Sequence, residues 1–181
     1  MEIRSSTQPI VEPIIQSTLD LHLLTPLDWR VLRKARLEAL HDSPRAFTSS
    51  FADESGWSEQ EWLQMFDAAT WTVAREAEEV IGLARSVSEP EQPAARNVES
   101  VWVAPTHRRR GVLRALLHTL AERERRMGVT ELLIWVLEDN QNAQRAYEAI
   151  GFEPTGQRQF LPPFGRFERR LTLCIRGLLD S

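Results

Sequence analysis

Apolar and polar residues alternate along LDLHLL, Leu19 to Leu24, the pattern of a half-buried strand. Thr25-Pro26-Leu27-Asp28 then carries a hydroxyl cap, a proline at the first helical position and an acid three residues after the cap, which predicts a helix running to about His41. Ser58-Glu59-Gln60-Glu61 repeats the capping signature, with Trp62, Met65, Phe66 and Ala69 on one helical face. Trp71 to Arg75 and Val80 to Val87 flank the charged turn REAEE and read as an antiparallel hairpin. Ser88 to Ala95, with two prolines, is a loop, and Asn97 to Val103 is a further strand. The period then changes. Val112, Leu113, Leu116, Leu117 and Leu120 form a helical stripe ended near Gly128, followed by LLIWVL, a continuous apolar run suited to a buried parallel strand. Asn140 to Ile150 places Ala143, Ala146, Tyr147 and Ile150 on one helix face, with Gly151 at a left-handed cap. Two last strands surround Pro162-Pro163-Phe164-Gly165. This order predicts a mixed α/β sheet. Met1 to Ser17 has no strong period and reads as a loose extension, leaving residues 18–181 as the domain.

Composition narrows the function classes. A chain of 181 residues fits one domain, and its net charge of -4 argues against a nucleic-acid partner or an anionic membrane surface. The N-terminus lacks a secretory apolar core, and the longest apolar run, Leu132 to Leu137, is too short to span a bilayer. A cytoplasmic protein is the expectation. The lone Cys174 excludes an internal disulfide and reads as a small buried hydrophobe in a strand. The four histidines show no metal spacing, so no metal is expected, and His107 and His118 read as exposed.

The candidate chemistry lies in VWVAPTHRRRGVLRALL, Val101 to Leu117, where a strand exits into a basic loop and a helix begins at once. Helix N-terminal N–H groups lack partners and carry positive potential. Gly111 lets a backbone approach a ligand, and Arg108, Arg109, Arg110 and Arg114 add charge. Together they suit a phosphate or pyrophosphate. A solvated basic turn is the alternative. The loop is neither a nucleoside-triphosphate P-loop, since no Gly-Lys-Ser/Thr follows, nor a dinucleotide fingerprint, since G-x-G-x-x-G is absent.

Arg108-x-x-Gly111 after this strand exit resembles the pyrophosphate loop of GNAT acetyltransferases, Gln/Arg-x-x-Gly-x-Gly/Ala, with Leu113 departing from the usual Gly or Ala. Asn140-x-x-Ala143-x-x-x-Tyr147-x-x-x-Gly151-Phe152 is similar to the second signature of that family, in the right order. The resemblance covers Trp71 to Phe152. It implies a mixed, mostly antiparallel sheet splayed at its centre with flanking helices. It implies acetyl-CoA as co-substrate, with pantetheine between the strand ending at Val103 and the strand Leu132 to Leu137, on the backbone of Val101-Trp102-Val103. Pyrophosphate would lie on Arg108-Arg109-Arg110-Gly111-Val112-Leu113, beside Arg114. The amine would attack the thioester directly.

An alkylamine has a pKa of about 10 and must lose a proton before it attacks. Glu99, four residues before Val103, is the candidate base, with a surface carboxylate as its alternative and Glu138 or Asp139 next in line. Tyr147, the only tyrosine, falls at the general-acid position that the resemblance implies; helical spacing alone would make it core. Asn140 either contacts CoA or caps its helix. Asp42, Asp53, Glu54, Phe47, Phe51, Trp57 and Phe164 lie on the segments that form the acceptor pocket in this family, and acids with aromatics suit a cationic amine. The expected function is acetyl transfer to a small-molecule primary amine. A protein or peptide amine, or a non-catalytic acyl-CoA-binding module, are the alternatives, and a homodimer is allowed.

Overall fold

The computed structural model describes residues 19–180, so the extension assigned to Met1–Ser17 lies outside the described residues. The elements follow in the order β1 (Asp20–Leu23), α1 (Trp29–Asp42), α2 (Phe51–Ser55), α3 (Glu59–Gln64), β2 (Ala69–Glu76), β3 (Glu79–Ser88), β4 (Ala95–Val103), α4 (Val112–Arg125), β5 (Glu131–Leu137), α5 (Gln141–Glu148), β6 (Glu153–Leu161), β7 (Arg166–Cys174) and α6 (Ile175–Leu179). One sheet takes the strand order β1-β2-β3-β4-β5-β7-β6. Every neighbouring pair is antiparallel except β4 with β5. This is the mixed, mostly antiparallel α/β sheet expected from the sequence. Among the described residues, no helix is long and apolar enough to cross a membrane.

Local chemistry sets the element ends. The Thr25 N–H and hydroxyl both donate to Asp28 Oδ2, at 2.8 Å each, and Asp28 N–H donates to the Thr25 carbonyl. That i to i−3 bond closes a 3₁₀ turn over Pro26–Asp28, so the α-helix proper begins one turn later than expected, at Trp29. The helix after Ser58 is also shorter than its apolar stripe suggests. It ends at Gln64, and Ala69 already opens β2. Trp71 Nε1 donates to the Met65 carbonyl at 2.8 Å and fixes this turn into the sheet. Cys174 lies in a strand, but it is exposed rather than buried. Leu171 and Leu173 of β7 are buried on the inner face, and Cys174, of the opposite parity at the strand end, is exposed.

The two principal helices cover opposite faces. A Cβ on Gly82 of β3 would lie 2.9 Å from Val112 Cγ1 and 3.0 Å from Leu116 Cδ1, so the first turns of α4 sit directly on this backbone. The next residue, Leu83, pairs with Trp102, whose Nε1 donates to Asp42 of α1. Successive strand residues face opposite ways, so α1 and α4 sandwich the sheet. The core between them holds Leu32, Leu40, Leu83, Leu116, Leu117 and Leu120, all fully buried.

The centre of the sheet is open. Strands β4 and β5 pair only from Ala95↔Glu131 to Val98↔Ile134, although β4 runs on to Val103 and β5 to Leu137. The cause is on the other edge of β4. Its register against β3 slips by one residue between Trp102 and Glu99, a bulge in which Ser100 takes a left-handed φ of 53°. A bulge bends its strand and increases its twist, and here it turns β4 away from β5.

Candidate active site

The splay opens a cleft of about 480 Å³. Its lining includes Val98, Val101, Ile134 and Val136, together with Phe47 and Phe164. Of the catalytic and cofactor-binding residues expected from the sequence, Glu99, Val101, Asn140 and Tyr147 line this space.

Tyr147 is 7% exposed and stands edge-on to Phe152, with ring centroids 5.5 Å apart. Burial raises the phenol pKa above its ordinary value, so the hydroxyl keeps its proton throughout the neutral range. Among the described residues it has no hydrogen-bond partner. Helix α5 that carries it starts with an Asn140 cap, whose Oδ1 accepts from Ala143 N–H at 3.1 Å. Past its last residue, Glu148, the chain turns at Gly151, φ 112°, with the N–H groups of Gly151 and Phe152 donating to the Tyr147 carbonyl. Both ends of the short helix are therefore fixed, and the ring with them.

Glu99 is held from β3. Arg85 Nε and Nη2 donate to Glu99 Oε2 at 3.1 and 2.6 Å. Both bonds fall on one oxygen, and Oε1 accepts none among the described residues. Glu138 and Asp139, the other candidate acids, are committed elsewhere. Hydrogen bonds from Arg158 hold Glu138 below the usual carboxylate range, and those from Arg166 do the same for Asp139. Neither lines the cleft.

Beyond Val103 the chain passes through a 3₁₀ turn, Pro105–His107, into the basic loop. Its arginine side chains are largely tied back to the fold. Arg108 Nε donates to the Val103 carbonyl at 3.0 Å and Nη2 to Asp42 at 2.8 Å. Arg110 reaches Glu76 at 2.8 Å, and His107 meets the other oxygen of Glu76 at the same distance. His107 is thus a mostly enclosed, bonded side chain, where the sequence suggested an exposed one. Desolvation pushes the Asp42 carboxyl upward, but hydrogen bonds from Ser43 and Trp102, with the Arg108 guanidinium, outweigh it and hold the group below its ordinary value.

What the loop leaves available is backbone. Among the described residues, the N–H groups of Arg110, Gly111, Val112 and Leu113 have no hydrogen-bond acceptor. Arg109 and Gly111 both adopt left-handed backbone, φ 61° and 81°, and a Cβ at Gly111 would meet nothing within 4 Å. Concave runs of such N–H groups at a helix start bind anions. The donors and the open space fit a pyrophosphate.

The acids expected near the acceptor do not face the cleft. Glu54 is 1% exposed and is bonded by Arg36, Asp53 accepts from the Ser50 hydroxyl at the start of α2, and Asp42, at the end of α1, accepts from Arg108 of the basic loop. Phe51 packs edge-on to His41, and Trp57 against Trp62. Of that group only Phe47 and Phe164 line the space. The charged residues that do line it, besides Glu99, are Arg36, Arg45, Arg85, Arg166 and Glu168. None of these five stands in a short motif. Arg85 could have been found from the strand register, since it pairs directly with Glu99.

A family model described as the Acetyltransferase (GNAT) family matches residues 36–152. N-acetyltransferase 8F1 of Rattus norvegicus is 30% identical over 107 residues, covering 58% of this chain and 48% of the relative. The chain thus matches about half the length of that curated relative. Among solved structures, spermidine N-acetyltransferase from Vibrio cholerae, in complex with CoA and spermine, has a TM-score of 0.68 at 18% identity, over 91% of this chain and 99% of that one. The protein yncA from Salmonella typhimurium, with acetyl-CoA, has a TM-score of 0.68 at 20% identity, over 87% and 94%. The ribosomal-protein-S18-alanine N-acetyltransferase from Escherichia coli has a TM-score of 0.62 at 19% identity, over 87% and 94%.

Proposed function

Because the chain belongs to the GNAT acetyltransferase family, we propose that it transfers acetyl from acetyl-CoA to the primary amine of a small molecule, by direct attack in a ternary complex. The observation that carries this reading is the cleft beside the parted β4 and β5, whose lining includes Val101, Glu99 and Tyr147. Backbone polar groups of Val101-Trp102-Val103 extend past the end of the β4–β5 pairing and would hold pantetheine as a substitute strand. The N–H groups from Arg110 to Leu113 would hold the pyrophosphate. Arg108 and Arg110 are already bonded to acids, so Arg109 is the loop guanidinium available to a phosphate.

Glu99 Oε1 would take the proton of the incoming ammonium, directly or through one water. The Arg85 contact holds Oε2 and fixes the direction of the carboxylate, leaving Oε1 to meet the ammonium or a bridging water. Tyr147 would stabilise the departing thiolate. An ordinary phenol, pKa about 10, is already a weaker acid than a thiol, about 8.5, and burial widens that gap. The hydroxyl therefore acts first as a hydrogen-bond donor to the sulfur, and complete transfer of its proton is uphill.

The test is release of free thiol from acetyl-CoA across a panel of primary amines. Tyr147→Phe keeps the ring and its contact with Phe152, so a purely packing role predicts near wild-type turnover. Loss of a donor to developing charge predicts a fall of about a hundredfold in kcat, with acetyl-CoA binding retained. Wild-type turnover in the Phe variant would remove Tyr147 from the chemistry. Failure of acetyl-CoA to bind would reject the whole reading.

A further inference from the structure

The charges around the cleft bear on which amine enters it. Four arginines line the space, Arg36, Arg45, Arg85 and Arg166, against two glutamates, Glu99 and Glu168. Three of the four have a carboxylate partner. Arg36 bonds Glu54, Arg85 bonds Glu99, and Arg166 bonds Asp139 through Nε at 3.1 Å and Nη2 at 2.6 Å. Arg45 has no side-chain partner among the described residues. Its location is nevertheless fixed, because Arg166 Nη1 donates to its backbone carbonyl at 2.7 Å. The Arg45 charge also acts on Asp139, adding to the larger effect of the Arg166 hydrogen bonds. Two guanidiniums thus share one half-exposed carboxylate beside the end of β5, and one positive charge there is left over.

A polyamine finds two carboxylates in this lining, Glu99 and Glu168, and any further ammonium placed near Arg45 and Arg166 is repelled. A carboxylate beside the amine is well served, since guanidinium geometry matches it and Arg45 is uncommitted. We infer that the acceptor is an amine that also bears a carboxylate, such as an amino acid or an amino-acid conjugate, with Arg45 and Arg166 recognising that group while the amine faces Glu99. The inference rests on the acyl-transfer reading of the same cleft.

The experiment compares matched acceptors: each amino acid, its carboxamide and the amine left by decarboxylation, with spermidine alongside. The readout is thiol release from acetyl-CoA, and acetyl-CoA binding is measured separately by calorimetry. The expected result is a kcat/KM about tenfold or more higher for one or more acids than for the matched amide and decarboxylated amine, expressed mainly in KM. Arg45→Ala should collapse that ratio toward one, and Arg45→Lys should restore part of it. Arg45 is exposed at the surface, so neither variant threatens folding. If amides, decarboxylated amines or spermidine match or exceed the acids, or if Arg45→Ala keeps the full ratio, the inference is overturned and the acyl-transfer reading stands. Thiol release from none of the acids, with acetyl-CoA bound, overturns it as well. Absence of acetyl-CoA binding removes the reading beneath it.

Discussion

Glu54 gives the sharpest test of how the cleft is held open. Its carboxylate is 1% exposed, and its partner Arg36 is 6% exposed. Arg36 Nε lies 3.2 and 3.0 Å from the two carboxylate oxygens, and Nη2 lies 2.8 Å from Oε1. The same guanidinium stands 4.8 Å from the centre of the Phe47 ring and donates through Nη1 to Ser100 Oγ at 3.3 Å, at the bulge that parts β4 from β5. Glu54→Gln keeps the volume and one acceptor but removes the charge that compensates a buried cation. Breaking such a pair from one side costs about 3–5 kcal/mol. Domains of this kind have roughly 5–15 kcal/mol in total, so the variant folds with a much narrower margin. At about 2–4 °C per kcal/mol for a chain of this size, the melting temperature should fall by about 6–20 °C. Urea unfolding of the wild type and the variant, with equal slopes, measures the difference directly. A double variant, Arg36→Met with Glu54→Leu, removes both charges and should recover most of the loss. A decrease below about 1 kcal/mol for Glu54→Gln would refute the view that this pair is buried and mutually required.

Gly111 separates backbone strain from crowding of the anion loop. Gly111→Val should lower the apo melting temperature by about 2–8 °C, because a left-handed φ costs about 1–2 kcal/mol with a side chain, and should abolish stabilisation by acetyl-CoA. Gly111→Asn, which tolerates that φ, should keep the apo value and lose only the ligand effect; retention of the ligand effect in both variants would exclude the loop. The depressed Asp42 pKa makes a pH prediction. The unfolded chain takes up the proton first as pH falls, so Asp42 contributes stability above the ordinary carboxylate pKa and loses it as pH drops through the lower folded value. Urea midpoints of wild type and Asp42→Asn should therefore differ near pH 6 and converge on acidification, and parallel curves would disprove the linkage.

The hairpin, the crossover helix and the buried parallel strand were all legible because each rests on local pattern. The REAEE turn closes β2 on β3 with Arg75↔Val80 and Glu76↔Glu79 paired, and Gly128 follows α4 with φ 84°. Helices α2 and α6, five residues each, are too short to show a period. The charged lining was illegible for a different reason. Arg36 and Glu54 are 18 residues apart, and Arg166 and Asp139 are 27 apart, so no motif length connects them.

The basic loop combines both cases. Arg108-x-x-Gly111 falls on the loop whose N–H groups lack acceptors among the described residues, yet the side chains that drew attention there serve mainly to fix it. Arg108 crosses to Asp42, 66 residues away, and Arg110 to Glu76, 34 away. Those bonds tie the loop to the end of α1 on one face and to the β2–β3 turn on the other. A phosphate-binding concavity needs its N–H groups held in one direction before the ligand arrives, since each loose residue would have to be ordered at the cost of binding free energy. The paired arginines supply that order, while Arg109 and Gly111 set the turn in left-handed backbone. A sequence pattern of arginines and one glycine therefore encodes a backbone feature, with two of its arginines, Arg108 and Arg110, already paired to acids of the fold.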